Sequence, residues 1–274
     1  MKHDLITRIP FAFARSALFR PAERSAPSVN ADIPAAHDYK ISVNYNGPAL
    51  TPCHATAWQA IVAIAYKENN GVAQTLDVRV VDILRAMGRQ SVQTHAKRWL
   101  RQVITELASA TVCINSPRHA FQGLLVKSVV ELGNGRLRLT FSPALDVFLQ
   151  NEVVLVPMAS RHELTAHPLA SWMHDYIATH HAVYEVPVAT LHRLSDSTLT
   201  LASFRPRLRS ALQAVQASGP LLTHYSIDDD VVTLHKQKTR VVLLNPLAAN
   251  AKRVASKHDA AVQEARKWRV KVPL

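Results

Sequence analysis

Two stretches of this chain carry the same pattern at a constant offset of 108 residues, without gaps, and this repetition restricts the fold more than any other feature. Val78 and Val80 correspond to Val186 and Val188, Ile83 to Leu191, and Arg85 to Arg193. Further on, Leu100, Arg101 and Ile104 correspond to Leu208, Arg209 and Leu212. Each half reads helix, short strand, helix, turn, long basic helix, strand. Identities are few, so the order of elements carries the inference and the letters only fix its frame.

The second long helix is predicted within residues 199–219. Leu201, Phe204, Leu208, Leu212 and Val215 fall at spacings of three and four, which places them on one helical face. Ser203, Ser210 and Gln213 fall on the opposite face, flanked by Arg207 and Arg209, while Arg205 lies near the apolar boundary. Asp196, Ser197 and Thr198 supply turn and N-cap chemistry, and Gly219-Pro220 ends the helix. Pro206 lacks an N–H, so the helix is expected to begin only a few residues before it. A short helix over 188–194 precedes it, and strands over 221–226 and 231–235 follow as a hairpin. Helix, turn, longer basic helix, hairpin is the order of a winged helix-turn-helix. The first half offers the same parts. A helix over 91–108 buries Val92, Ala96, Trp99, Leu100, Val103 and Leu107, and turns Thr94, Arg98, Arg101 and Thr105 outward with Lys97 beside them. Strands over 123–132 and 136–141 follow, joined by the hairpin turn Gly133-Asn134-Gly135.

The remaining chain fits around these parts. A strand over 40–45 precedes a helix opened by Thr51 as N-cap and Pro52 at its first position, with Trp58, Ile61, Val62 and Ala65 inward. A strand over 74–76 leads to a helix over 78–87 capped by Asp77. Strands over 111–115, 153–156 and 184–186 and helices over 143–150 and 167–180 are also expected. The fold class is α+β, as two tandem winged-helix domains forming a pseudo-repeat. The expected divisions are 1–38, an extended and partly disordered arm whose apolar knot at 14–19 is able to dock on the body; 39–157, the first domain; 158–236, the second; and 237–274, a basic tail.

Net charge is +12, from 32 Lys and Arg against 20 Asp and Glu, and 48% of residues are hydrophobic. A packed core is therefore available, and a polyanion, nucleic acid before membrane, is the expected partner. The stretch 236–274 holds ten Lys and Arg against two acidic residues, the charge of a phosphate-binding arm. No apolar run is long enough to span a membrane, and the N-terminus has no secretory h-region. Cys53 and Cys113 form no framework and no CxxC pair, as expected of reduced thiols in a cytoplasmic protein. Two matching basic helices in one chain would read two segments of one DNA site, roughly one helical turn apart.

The chain resembles the TrfA-type plasmid replication initiators. The shared stretches are ARSALF over 14–19, the segment 41–110 containing Trp99, and LSDST over 194–198, followed by a basic helix and a hairpin containing Asp229-Asp230. They are collinear and span about residues 14–236. The resemblance implies a bacterial DNA-binding protein that initiates plasmid replication by binding direct repeats, or iterons, in double-stranded DNA at an origin. It further implies origin melting with the host replication initiator and replicative helicase, and copy-number control through a balance of monomers and dimers. Carried over position by position, it places DNA contacts on Arg98 and Arg101 of the first long helix and on Arg205, Arg207 and Arg209 of the second. Thr94, Lys97 and Gln213 complete the candidate surface by their positions on the outward faces. Two departures stand out: no Gln-Leu-Ser-Leu-Phe clamp motif is present, and the tail beyond Lys236 is extra.

Other chemistries find little in the residues. His162 and His167 in HELTAH are five apart rather than four, and Pro168 interrupts any shared helix, so no metal site is expected. His174, His180 and His181 are read as surface or helix-end residues. Only 7 glycines are present and no phosphate loop, and no paired carboxylates suggest acid–base work, so neither an enzyme nor a cofactor is expected. Trp58, Trp99 and Trp172 are read as core anchors, and Trp268 between Lys267 and Arg269 as a possible base-stacking residue. The competing class is a winged-helix transcriptional repressor or partition protein without initiator activity.

Overall fold

The computed structural model describes residues 5–21, 31–36, 40–72, 75–116, 120–150, 152–180, 182–237 and 241–242. Most of the expected tail, with Trp268 and all its Lys, Arg, Asp and Glu beyond 237, lies outside them, as does His181. Among the described residues the fold is a mixed α/β arrangement with two hydrophobic cores.

The chain opens with β1 (Ile6–Pro10), the short helix α1 (Phe11–Ala14) and a 3-10 turn at Ala17–Phe19. Residues 5–21 are thus no extended arm: Phe13, Leu18 and Phe19 are buried in the first core, and Ile9 and Ala14 in the second. The knot at 14–19 docks on the body as expected, but irregular apolar spacing hid the burial of Ile9 and Phe13, because a segment wedged between two cores buries residues on several sides and shows no single period. The chain continues through β2 (Ala31–Ile33), β3 (Ser42–Asn46) and α2 (Pro52–Asn69). Helix α2 is buried all round for its first four turns, as its Ala, Ile and Val content requires, and ends on Asn70 in the left-handed region.

Next come β4 (Leu76–Arg79), α3 (Val80–Ala86) and α4 (Thr94–Ala108). Asp77 and Val78 belong to the strand, not to a helix start. Leu76 and Val78 alternate inward, and the outward Asp77 accepts two hydrogen bonds from Arg138, both at 2.7 Å, across the sheet. Helix α4 begins at Thr94, leaving Val92 in the preceding turn. The predicted 123–132 strand is two: β5 (Thr111–Asn115) is followed by β6 (Ala120–Leu124) and then by β7 (Ser128–Gly133) and β8 (Arg136–Thr140). Strands β2, β3, β5 and β6 form one sheet in that order; β4, β8 and β7 form another. After α5 (Pro143–Leu149), β9 (Val153–Pro157) pairs antiparallel with β1, joined on its other edge by β13 (Val241–Val242). Helices α6 (Ala159–His162) and α7 (Pro168–Ala178) lead to β10 (Val183–Pro187), α8 (Val188–Leu194), α9 (Leu201–Ala217), β11 (Leu222–Asp228) and β12 (Val231–Lys236). Strands β10, β12 and β11 form a sheet in that order, the same arrangement as β4, β8 and β7.

A buried polar joint ties the cores together. Arg161 is fully buried, and its Nη1 donates to Asp175 Oδ2 on α7 at 2.5 Å and to Gln59 Oε1 on α2. Gln59 Nε2 donates to the same carboxylate oxygen at 2.7 Å. Burial raises the Asp175 pKa, but Arg161, His174 and Gln59 outweigh it and hold the carboxyl below its usual range. Of the histidines expected at the surface or at helix ends, His180 does follow the α7 end, its N–H donating to Ile177 O, but both it and His174 within the enclosed helix are buried. The N-terminal segment crosses the same joint: Thr7 Oγ1 donates to Gln59 O, Trp172 Nε1 to Ser16 O, and Arg15 Nε to Thr179 Oγ1.

Candidate nucleic-acid interface

The 108-residue frame holds in the backbone. Helix α3 and helix α8 start and end in register at that offset, and α4 falls within the span of α9. The turns after them match bond for bond. Gly88 N–H donates to Arg85 O and Arg89 N–H to Leu84 O; Asp196 N–H donates to Arg193 O and Ser197 N–H to His192 O. Both are six-to-one closures around a left-handed residue, Gly88 at φ +79° and Asp196 at φ +51°. Glycine is required in the first turn, since a Cβ there would sit 2.4 Å from the His162 ring; Asp, which tolerates this conformation, serves in the second. The hairpin turns dock alike. Val80 N–H donates to Gly135 O at 3.0 Å, and Val188 N–H to Asp230 O at 2.8 Å.

These turns set the attitude of α4 and α9. Helix α4 buries Ala96, Leu100, Val103, Ile104 and Leu107; α9 buries Phe204, Leu208, Ala211, Leu212 and Val215. Thr200, rather than any of Asp196, Ser197 and Thr198, caps α9, its Oγ1 accepting from Ser203 N–H at 3.3 Å. Pro206 lies one and a half turns inside the helix and its ring is exposed.

The eight candidate residues occupy two outward faces. On α4, Thr94 and Arg98 are exposed and Lys97 and Arg101 half-buried. The Arg101 fork is engaged, with Nε donating to Glu131 Oε1 of β7 at 2.6 Å and Nη2 to Oε2 at 3.4 Å. On α9, Arg207, Arg209 and Gln213 are exposed. Arg205 is tied to Asp230 through Nε and Nη2, each at 2.6 Å, and this pairing holds the Asp230 carboxyl below its usual range. Arg207 and Arg209 lie on different flanks. Arg209 is on the hairpin side, where its carbonyl accepts from Tyr225 Oη at 3.4 Å. Arg207 and Ser210 line an open cleft of about 790 Å³ together with Arg20 and His167. Arg20 donates to Asp196 at 2.7 Å, bringing the N-terminal segment to this edge. The sequence marked the neighbouring 14–19 as an apolar knot and as a stretch shared with the TrfA-type proteins, but gave no signal for Arg20 itself. At the start of α4, Arg89 stacks on Trp99 at 3.9 Å, and Trp99, expected as a core anchor, is half-buried and packs against the edge of the first core. Gln90, Ser91, Gln93 and His95 line a second cleft there, and no spacing signal marked them.

A Cys53–His54–Glu106 juxtaposition resembles a nucleophile with its base, but its hydrogen bonds assign it another role. His54 Nδ1 accepts from Thr51 N–H at 3.1 Å, and its Nε2 faces Glu106 Oε2 at 2.6 Å. The nitrogen 3.7 Å from Cys53 Sγ therefore already has its donor, and His54 caps α2 and ties it to α4. His162 Nε2 lies 3.0 Å from Ala86 O, and among the described residues no group of three His, Cys, Asp or Glu side chains could hold a metal. Among them, too, no helix is long and apolar enough to cross a membrane.

The repeated turns, basic helices and docked hairpins define a class: a mixed α/β chain presenting two strand–helix–turn–helix–hairpin units with cationic outer faces. No protein family's sequence profile matches the chain, and no curated protein matches it in sequence. Solved structures do share the fold. A crystal structure of domains 2 and 3 of RctB aligns with a TM-score of 0.55 at 12% identity, covering 82% of this chain and 96% of that one. A second RctB structure of domains 2–3 aligns with a TM-score of 0.55 at 11% identity, covering 80% and 95%.

Proposed function

We propose that this chain is a bacterial, cytoplasmic replication initiator that binds direct repeats in double-stranded DNA at a plasmid origin through two winged-helix domains, 39–157 and 158–236. The observation that carries this reading is the pair of matching turns and basic helices held in one 108-residue frame. The likeness of fold to two domains of RctB, a replication initiator of a different type, supports the initiator role, and the resemblance to TrfA-type proteins supports the plasmid setting. The DNA-facing surface comprises Thr94, Lys97, Arg98 and Arg101 on α4 and Arg205, Arg207, Arg209 and Gln213 on α9. No catalysis or cofactor enters: the chain bends and opens an origin by binding energy and hands it to the host initiator and replicative helicase. Self-association into dimers limits copy number.

Footprinting on DNA flanking its own gene, with competitor DNA present, tests this reading. Protection of several direct repeats at regular spacing is expected. One protected inverted repeat over a promoter would instead indicate a repressor, and no protection at moderate salt would refute DNA recognition there.

A further inference from the structure

Within that surface the arginines are not equivalent. Arg101 has its Nε and Nη2 on the Glu131 carboxylate and its Nη1 3.5 Å from Lys97 O, so at the surface every nitrogen of its guanidinium already has a partner in its own chain. Arg205 spends its Nε–Nη2 edge on Asp230, with two bonds of 2.6 Å. Each pair is electrically neutral as a unit, so it releases little counterion from a polyanion. Arg98 and Arg209 have no ion pair among the described residues and stand exposed on the same helices. What the engaged arginines hold is the hairpin. Asp230 is the centre of the second clamp: its carbonyl accepts from Val188 N–H of α8 while its carboxylate accepts from Arg205 of α9. Asp229 and Asp230 both have positive φ, +47° and +63°, the backbone of a tight hairpin turn. One residue thus fixes the turn to both helices. In the first unit the hairpin turn docks through Gly135 O, and the reading helix grips the strand separately through Arg101 and Glu131. The 108 offset aligns Arg101 with Arg209, not with Arg205, so the two clamps are built at different positions of their helices.

We propose that Arg101 and Arg205 are positioning residues that clamp each hairpin to its reading helix, while Arg98 and Arg209 contact the nucleic acid. This rests on the DNA-binding reading above.

The test measures binding of the full chain to a mixed-sequence 30-base-pair duplex from 50 to 200 mM salt, for the wild type and the variants Arg209→Gln, Arg205→Gln, Asp230→Asn and the exchange Arg205→Asp/Asp230→Arg, each checked for folding by circular dichroism. Arg209→Gln is expected to lower the slope of log affinity against log salt by about 1. Arg205→Gln is expected to weaken binding about fivefold, the effect of a coupling near 1 kcal/mol, with the slope unchanged. The decisive variant is Asp230→Asn. Removing a negative charge beside DNA strengthens binding if Arg205 is a contact, whereas loss of the clamp weakens it. Weaker binding by Asp230→Asn, with recovery in the exchange, is the expected result. Tighter binding by Asp230→Asn, or a slope lowered by about 1 in Arg205→Gln, overturns the assignment. No binding by the wild type at 50 mM salt overturns the DNA reading itself.

Discussion

Replacing Asp175 with alanine removes the one carboxylate that, among the described residues, pairs with the fully buried Arg161 at the joint between the cores. Arg161 Nη1 would keep only the Gln59 side-chain oxygen, and Gln59 Nε2 would lose its acceptor at 2.7 Å. A buried cation stripped of its counter-charge costs about 3–5 kcal/mol, since desolvation of the remaining charge is no longer offset. For a chain of this size that corresponds to roughly a 10 °C fall in apparent Tm. Because Gln59 sits on α2 and Asp175 on α7, the damage falls between the two cores, and a single unfolding transition should split into two. Thermal unfolding followed by calorimetry reads both effects. The double variant Arg161→Met/Asp175→Leu, which leaves no orphaned charge, should recover most of the loss. A fall below about 1 kcal/mol in Asp175→Ala, or no recovery in the double variant, would refute the view that the pair is closed to water and couples the cores.

Three further outcomes are expected. Arg209→Ala should weaken specific DNA binding by about 1–3 kcal/mol with unchanged thermal stability; unchanged affinity in a gel-shift titration would remove Arg209 from the interface. If roughly 6–10 phosphates are contacted, wild-type affinity should fall about 10³–10⁵-fold between 50 and 200 mM salt, and a flat dependence by fluorescence anisotropy would contradict a phosphate-dominated interface. Burial, with Arg15 nearby, pushes the Lys236 ammonium down to about 8. Its folded pKa lies below its unfolded one, so the unfolded chain holds the proton longer and stability should rise with pH between about 8 and 10, by at most about 2 kcal/mol. Urea unfolding across that range should show the rise in the wild type and lose it in Lys236→Met.

What the sequence made legible follows from how local each signal is. Helices α3, α4, α8 and α9 bury one face apiece, so their periods survive in the letters, and the repeat frame even places the left-handed residues Gly88 and Asp196. Asp77 misled because an Asp before apolar residues reads as a cap, while its partner Arg138 lies 61 residues away across a sheet. The N-terminal segment misled for a related reason: Ile9 faces one core and Phe13 the other, a division no periodicity encodes.

The same distinction governs the candidate interface. Outward position is local, and all eight candidate side chains do sit on the outer faces of α4 and α9. Availability is not local. Whether an outward arginine is free depends on which carboxylate the hairpin delivers to it, 30 residues on for Arg101 and 25 for Arg205. A basic helix followed by a hairpin carrying Glu131 or Asp230 therefore contains two kinds of arginine that no helical wheel separates. The acidic residues of the hairpin are the sign to look for, since a carboxylate within reach of an outward guanidinium makes a charge-assisted, bidentate pair that engages that arginine inside its own chain.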